Sequence, residues 1–426
     1  MKFEQFPKAV IKENVDYTVK EITNIIKRYG PRESGNENCL AAEKHIKKEM
    51  DTFCDETGFE TYKLAPKAFL HFTKLISVAI ILAIVVGLAL VFANVITFFV
   101  AQCIVGAVTA VSLLITALEF LLYKQFMDPL YKKVEGNNFY AIRKPRGEVK
   151  RRIIVSGHID SAYEWRHILY GKSSPLMTIL MAWAIAGGII SFVVAVVSVI
   201  AGLVDMGGFG DFILNYGFYW HIVTALGMVT LFFFVDFKTI SPGANDNLTG
   251  TYSAVCALRM LDMAGVEFEN TEVVCMITDG EEAGLRGTKQ WAKDHYDEYM
   301  NSGVETVVLC VDTLCDLEYL NVYSRDMTGT VKHDQVFSQF VMDAAIEAGH
   351  TDLEFANVFF GSSDAAAFTQ AGITSTCLAA MDPSPADYYH TRRDSYDRLN
   401  PKAIEVGYEI IVATILNYDA HGGLNR

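Results

Sequence analysis

Acidic and histidine side chains stand directly after three apolar segments that are rich in valine and isoleucine. His158 and Asp160 follow RRIIVSG, and Glu281 and Glu282 follow TEVVCMIT. Asp312 ends a third segment, TVVLCVD. Such short apolar runs predict buried parallel strands, and the carboxyl ends of parallel strands meet at one edge of a sheet. We therefore expect these side chains to lie close together.

Two further segments carry the same kinds of side chain. Asp246 lies in SPGANDNLTG, where a helix begins, and His390 lies in the loop DYYHTRRD. Taken singly, Asp246 is explained as a helix N-cap and His390 as a surface contact. Taken together, so many carboxylates would repel one another and would need raised pKa values. A divalent metal removes that repulsion, and a mixed set of imidazole and carboxylate ligands suits zinc.

Helical patterns separate the predicted strands. The helices are TGTYSAVCALRMLDMAG, GTKQWAKDHYDEYM, HDQVFSQFVMDAAIEAG and NPKAIEVGYEIIVATILNY, and the further strands are FETYKL, NNFYAIRK and ITSTCLAA. Strands that alternate with helices predict an α/β fold with a mixed, mostly parallel sheet flanked by helices. The net charge of −14 and the absence of a Lys/Arg-rich run argue against nucleic-acid binding.

Two apolar blocks interrupt this pattern. Residues 75–122 contain one charged side chain and residues 176–235 contain two, although 20% of the whole chain is charged. Each block is long enough for two membrane-crossing helices of about 20 residues. We predict a multi-pass integral membrane protein with four inserted transmembrane helices. They form one hairpin in each block, with turns near residues 94–102 and 204–211.

The segments outside the two hairpins, residues 1–74, 123–175 and 236–426, are predicted to form one domain. Each hairpin returns the chain to the side of the bilayer from which it started. Lys and Arg residues lie near the domain ends of the hairpins, and the hairpin tips contain none. This distribution predicts that the domain faces the cytoplasm.

Five ordered segments resemble the M28 family of zinc metallopeptidases, of the two-zinc aminopeptidase type. They are GHIDS (157–161), GANDNLTG (243–250), DGEEAGLRGT (279–288), VDT (311–313) and YHTRRD (389–394). The resemblance implies a zinc-exopeptidase-like fold, two Zn²⁺ ions and hydrolysis of short peptides by a metal-activated water. It implies these roles: His158 and Asp312 as ligands of one metal, Glu282 and His390 as ligands of the other, Asp246 as the bridging ligand, Glu281 as general base, Asp160 as the partner that orients His158, and Tyr389 as a group that polarises the substrate carbonyl.

The sequence departs from this family at two places. In GSSDAAAF, Ala365 follows Asp364 where the family usually has a histidine, and 88 residues separate His158 from Asp246. Two alternatives stay open, namely a glutaminyl-cyclase-like transferase on the same fold, which would use a single zinc, and a non-catalytic peptidase-like membrane scaffold. The native metal, the side-chain preference, the peptide end attacked and the oligomeric state also stay open.

Overall fold

The computed structural model describes residues 1–171, 175–358, 361–384 and 386–424. All the predicted site residues are among them, whereas residues 172–174 of the predicted domain segment 123–175 lie outside the described residues. The chain divides into two compact units. The first unit comprises Met1–Pro66, Lys133–Tyr163 and Thr239–Arg426, and the second unit comprises Lys67–Lys132 and Glu164–Lys238.

The strands of the described chain are β1 (Glu56–Leu64), β2 (Val134–Arg143), β3 (Arg151–His158), β4 (Tyr163–Trp165), β5 (Val235–Ile240), β6 (Thr271–Thr278), β7 (Glu305–Leu314), β8 (Leu320–Asp326), β9 (Val331–Lys332), β10 (Phe355–Asn357) and β11 (Thr374–Ala380). Nine of these strands form one sheet in the order β1-β2-β6-β3-β7-β11-β8-β10, with β9 beside β8. The central strands β6, β3, β7 and β11 are parallel, and β1, β2 and β8 each have an antiparallel neighbour. The prediction of a mixed, mostly parallel sheet is therefore confirmed.

The α-helices of the described chain are α1 (Lys8–Tyr29), α2 (Glu37–Met50), α3 (Ala68–Phe92), α4 (Phe98–Thr116), α5 (Arg166–Gly171), α6 (Pro175–Leu203), α7 (Gly207–Tyr216), α8 (Phe218–Phe232), α9 (Gly250–Met263), α10 (Arg286–Asp294), α11 (Tyr296–Asn301), α12 (Gln335–Glu347), α13 (Asp364–Gln370) and α14 (Pro401–His421). The predicted helix over GTKQWAKDHYDEYM is thus two helices, which are separated at His295.

Helices cover both faces of the large sheet because successive residues of a strand point to opposite sides. Ile153 and Val155 of β3 belong to a core that residues of α1, α9, α12 and α14 also fill. Ile154, which lies between them, belongs to a second core that α10 and α13 complete. All three side chains are fully buried, so the central strand is covered on both sides.

The helices α3 to α8 lie in the second unit. Three spans, α3, α4 with the turn that extends it to Leu121, and α6, are long and apolar enough to cross a membrane. α7 and α8 are long and apolar enough to cross a membrane only as a pair, and the two helices meet at a bend of 47°. Small residues allow close packing, since Gly106 contacts Ala195 and Gly227 contacts Ala184.

The ends of these helices meet at one end of the second unit. Tyr123, which follows α4, packs against Phe69 of α3 with ring centroids 4.8 Å apart. Arg166, which precedes α6, forms an ion pair of 2.9 Å with Asp236, which follows α8. The ring of Phe237 lies 5.1 Å from that of His71 on α3. Both helical segments therefore return the chain to the end from which they start.

Two details of the predicted hairpins differ from the structure. The first turn, predicted near 94–102, lies between the end of α3 at Phe92 and the start of α4 at Phe98. The loop predicted over 204–211 was wrong in part, because α7 already begins at Gly207. The glycines there suggested a loop. A helix is favoured beside apolar helices because it satisfies the hydrogen bonds of its own backbone N–H and C=O groups, which an open loop leaves unpaired.

Candidate metal centre

Three parallel strands bring four of the predicted site residues to one edge of the sheet. β3 lies between β6 and β7 and pairs in parallel with both, so the carboxyl ends of the three strands are neighbours. His158 is the last residue of β3, and Asp312 lies near the end of β7. Glu281 and Glu282 follow β6 in a turn in which Gly280 has a positive φ of 87°. The expected convergence of these side chains is present.

Asp246 reaches the same edge because its segment packs directly on the strands. A Cβ atom on Gly157 of β3 would overlap the backbone of Gly250, the first residue of α9, so this approach requires glycine. Asn247 fastens the segment to β7: its amide donates to the carbonyl of Val311 over 2.9 Å, and its oxygen accepts from the N–H of Thr313 over 3.2 Å. The peptide bond between Asp246 and Asn247 is cis.

The two carboxylate oxygens of Asp246 face two different histidines. Oδ1 lies 3.4 Å from Nε2 of His158, and Oδ2 lies 3.1 Å from Nε2 of His390. Each histidine also faces a second carboxylate, Asp312 at 4.0 Å from His158 and Glu282 at 3.3 Å from His390. Ligand atoms that share one tetrahedral zinc stand about 3.4 Å apart, so these separations suit two neighbouring ions.

Burial shows that this donor set fits a cation. Nε2 of His158 and Oε1 of Glu282 are buried, and neither forms a hydrogen bond to another residue of the described chain. Burial raises the pKa of Glu282 well above its ordinary value, and the charges of Asp246 and Glu281 raise it further. Burial likewise raises the pKa of Asp312 to about 7. Without a cation these carboxyl groups would retain protons, whereas a divalent ion would stabilise their ionised forms.

His158 and Asp246, in contrast, tend to stay charged. Burial disfavours the protonated imidazole of His158, but Glu281, Asp160 and Asp246 outweigh it and raise the pKa of His158 well above its ordinary value. Burial also disfavours ionised Asp246, but His158 and His390 lower its pKa. Asp246 is therefore the ionised centre of the cluster.

Asp160 connects the segment of His158 to the turn of Glu281 and Glu282. Nδ1 of His158 donates to the main-chain carbonyl of Asp160 over 3.2 Å. The carboxylate of Asp160 lies 3.5 Å from the same nitrogen. That carboxylate accepts the main-chain N–H groups of Glu281 and Glu282 over 3.2 and 3.1 Å. It also accepts from the hydroxyl of Ser34 over 2.6 Å. Asp160 thus contacts His158 through its main-chain carbonyl, and its carboxylate holds the turn after β6.

Glu281 lies beside His158, and Tyr389 lies beside His390. Oε2 of Glu281 is 3.8 Å from Nε2 of His158, and burial followed by the charges of Asp364 and Asp312 raises its pKa well above its ordinary value. The half-buried ring of Tyr389 stacks on His390 with centroids 3.8 Å apart. Its hydroxyl points toward Gly361, which begins the GSSDAAAF segment.

Sequence reasoning missed two buried residues, Arg32 and Asp394, that hold the segments of His158 and Asp246. Arg32 donates to the carbonyls of Ile159, Pro242 and Gly243 over 2.8–2.9 Å and so joins the His158 segment to the Asp246 segment. Burial lowers the pKa of Arg32 to about 10, which leaves the guanidinium charged. Asp394 accepts the main-chain N–H of Asp246 over 3.0 Å. Asp394 closes the DYYHTRRD segment, so its place four residues after His390 was a usable signal.

Comparison with known proteins places these residues in a family context. Residues 229–415 match the model of Peptidase family M28. This range contains Asp246, Glu281, Glu282, Asp312 and His390 and leaves out His158 and Asp160. No curated protein sequence matches the chain significantly.

Solved structures share the fold at low sequence identity. A zinc aminopeptidase from Bacillus subtilis is 15% identical with a TM-score of 0.53, over 95% of this chain and 95% of that one. The LapA aminopeptidase from Legionella pneumophila is 12% identical with a TM-score of 0.53, over 97% and 74%. A glutaminyl cyclase from an Acidobacteriales bacterium is 14% identical with a TM-score of 0.54, over 96% of each chain. Residues 229–415 thus match Peptidase family M28, and the chain has a fold like that of the zinc aminopeptidases.

Proposed function

We propose that the protein is a membrane-embedded, zinc-dependent metallopeptidase that removes residues from short peptides, most simply as an aminopeptidase. The observation that carries this proposal is the position of Asp246 between two histidines, each with its own second carboxylate. In this proposal His158 and Asp312 would hold one zinc, Glu282 and His390 would hold the other, and Asp246 would contribute to both.

The residues around the ligands supply the remaining groups that peptide hydrolysis needs. Bound zinc would lower the pKa of a water molecule and polarise the scissile carbonyl. Glu281 accepts the proton of the attacking water and transfers it to the leaving amine. Tyr389 donates its hydroxyl proton in a hydrogen bond to the substrate carbonyl. Asp160 keeps the turn of Glu281 and Glu282 in place through their main-chain N–H groups.

The membrane placement concerns the second unit. α3 has 25 residues and α6 has 29, and at 1.5 Å per residue both exceed the roughly 30 Å of a bilayer core. The bent pair α7 and α8 serves as the fourth span in this proposal, because Arg166 and Asp236 keep the two ends of the segment together. We infer two transmembrane hairpins with the peptidase domain on the cytoplasmic side.

A reporter at each end of this topology tests it. A reporter fused at Gly208 is expected on the external side, and a reporter fused at Arg426, which lies outside the described residues, is expected on the cytoplasmic side. The reverse assignment would refute the proposed orientation.

A glutaminyl-cyclase-like reaction is the second candidate, supported by a glutaminyl cyclase structure that matches the fold as well as the aminopeptidases do. Metal analysis separates the two candidates, since two zinc ions per chain support the peptidase and one supports the cyclase. A chain that binds no metal would favour the peptidase-like scaffold.

A peptide-library digest read by mass spectrometry tests the activity, the peptide end attacked and the side-chain preference together. Glu281→Gln should keep both metals and lose about 10²- to 10⁴-fold in turnover, because the amide cannot accept the proton. Exposed Glu318 provides the matched control, and Glu318→Gln should digest like the unchanged protein. Unchanged turnover in Glu281→Gln would refute the general-base role.

A further inference from the structure

The segment between α4 and β2 has an inner row and an outer row of side chains. We name residues 122–132 the 122–132 loop. Its inner row is anchored: Tyr123 packs on Phe69, the N–H of Met127 donates to Glu119 over 2.9 Å, and the hydroxyl of Tyr131 lies 3.1 Å from Nδ1 of His71. Left-handed backbone at Tyr123, with φ of 51°, helps to turn the chain. These contacts give the loop a defined orientation.

The outer row of the same loop is apolar and exposed. Leu122, Phe126 and Leu130 are 40%, 52% and 73% exposed, and each stands one residue before a member of the inner row. Lys124 and Lys132 are exposed beside them, and exposed Lys67 precedes α3. A folded loop that presents a large aromatic and two leucines together with lysines has the composition of a membrane-interface anchor.

The depth of the loop agrees with this composition. The inner row contacts His71, which stands four residues before Leu75, where the charge-free run of α3 begins. At 1.5 Å per residue this is about 6 Å along the helix. The headgroup layer adds about 5–8 Å on each side of the hydrocarbon core, so His71 and the loop lie at the depth of the headgroups.

We propose that the 122–132 loop binds anionic phospholipid, with Phe126 and Leu130 inserted at the headgroup–acyl boundary and the lysines on lipid phosphates. The inference rests on the proposed membrane placement of the second unit. It goes beyond that placement by naming the class of lipid that is bound and the loop that binds it. The lysines select an anionic headgroup because each basic residue near such a surface strengthens attraction about fivefold.

Tryptophan quenching tests the insertion with the full chain in lipid nanodiscs. The discs contain phosphatidylglycerol and phosphatidylcholine with bromine atoms on the upper acyl chain, which quench only nearby indoles. The additional fluorescence of Leu130→Trp should be quenched, and that of Ile346→Trp, at a similarly exposed site on α12, should not. If Leu130→Trp fluoresces like Ile346→Trp while native Trp183 and Trp220 are quenched, the loop does not insert. The proposal for the loop then fails, and the membrane placement of the second unit stands. If those native tryptophans also escape quenching, the membrane placement fails with it.

Native mass spectrometry of retained lipids tests the charge selection. The variant Lys67→Gln/Lys124→Gln/Lys132→Gln should lose about fivefold in preference for phosphatidylglycerol over phosphatidylcholine for each lysine removed. A matched control, Lys8→Gln/Lys12→Gln/Lys20→Gln, removes three exposed lysines of the first unit and should retain the preference. Equal preference in the two triple variants would overturn the role of these lysines.

Discussion

Asp394 offers a sharp test of how Asp246, the proposed bridging ligand, is positioned. Its Oδ2 accepts the main-chain N–H of Asp246 over 3.0 Å, and its Oδ1 accepts both the main-chain N–H and the side-chain amide of Asn245 over 2.9 Å. All three donors lie in the segment that places Asp246 between the histidines. Asp394→Asn preserves the shape of the side chain but replaces one acceptor oxygen with an NH₂ donor.

The size of the effect follows from these contacts. The variant loses the least free energy if the oxygen of the new asparagine keeps the two hydrogen bonds from Asn245 and its NH₂ group faces the N–H of Asp246. One charge-assisted hydrogen bond is then lost, which is worth about 1.5–3 kcal/mol, and a buried N–H is left without an acceptor at about 1–3 kcal/mol. We take about 3 kcal/mol as the expected total loss. If the whole loss falls on the positioning of Asp246, zinc binding weakens about a hundredfold.

Zinc competition against a chelator measures this change in the detergent-solubilised full chain. Asp394→Asn should bind zinc about a hundredfold more weakly, with a melting temperature that saturating zinc restores. Asp397→Asn changes an exposed aspartate three residues further on and should bind zinc like the unchanged protein. Unaltered zinc affinity in Asp394→Asn would refute the idea that this carboxylate positions the bridging ligand.

Three further outcomes follow from the site. Asp246→Ala should release both metals as well as abolish activity, and metal analysis of the purified variant checks this. In protein freed of metal by a chelator, Asp312 and Asp394 have raised pKa values of about 7 in the folded state. Between about pH 4 and 7 the folded state therefore keeps protons that the unfolded chain has lost, so the melting temperature should fall as the pH rises through this range. A melting temperature that rises over this range would contradict that assignment. Arg32→Lys should destabilise by about 2–3 kcal/mol, because an ammonium cannot reach three carbonyls at once, whereas exposed Arg28→Lys should have little effect in denaturant titrations.

The central strands and their polar ends were predictable because both signals are local. Each buried strand is a short apolar run, and His158 or Asp312 stands where the run ends. The sequence could not show which groups act on the ligands from a distance. Arg32 contacts carbonyls 127 and 211 residues further along the chain, and the residues next to it do not indicate those partners. Its role follows only from its burial and its three acceptors.

Short edge elements escaped prediction for a different reason. β10 has three residues, of which Phe355 is exposed, so it lacks the apolar run that indicates a buried strand. β8, one strand in from this edge, mixes buried, half-buried and exposed residues and so also lacks one continuous apolar run. Pairing with neighbours that are distant in sequence, and not local preference, decides such strands.

The gap of 88 residues between His158 and Asp246 is compatible with one site because the chain leaves and re-enters the first unit at one place. The N–H of Ser241 donates to the carbonyl of Ala162 over 2.8 Å, and the N–H of Ser161 donates to the carbonyl of Arg32 over 2.8 Å. The ends of the inserted segment are therefore neighbours, and closing a longer loop between fixed ends adds little entropy. The first insertion follows the same rule, since Leu64 of β1 pairs with Val134 of β2. The family match over residues 229–415 begins within the inserted segment and leaves out His158, which the structure nevertheless places beside Asp246.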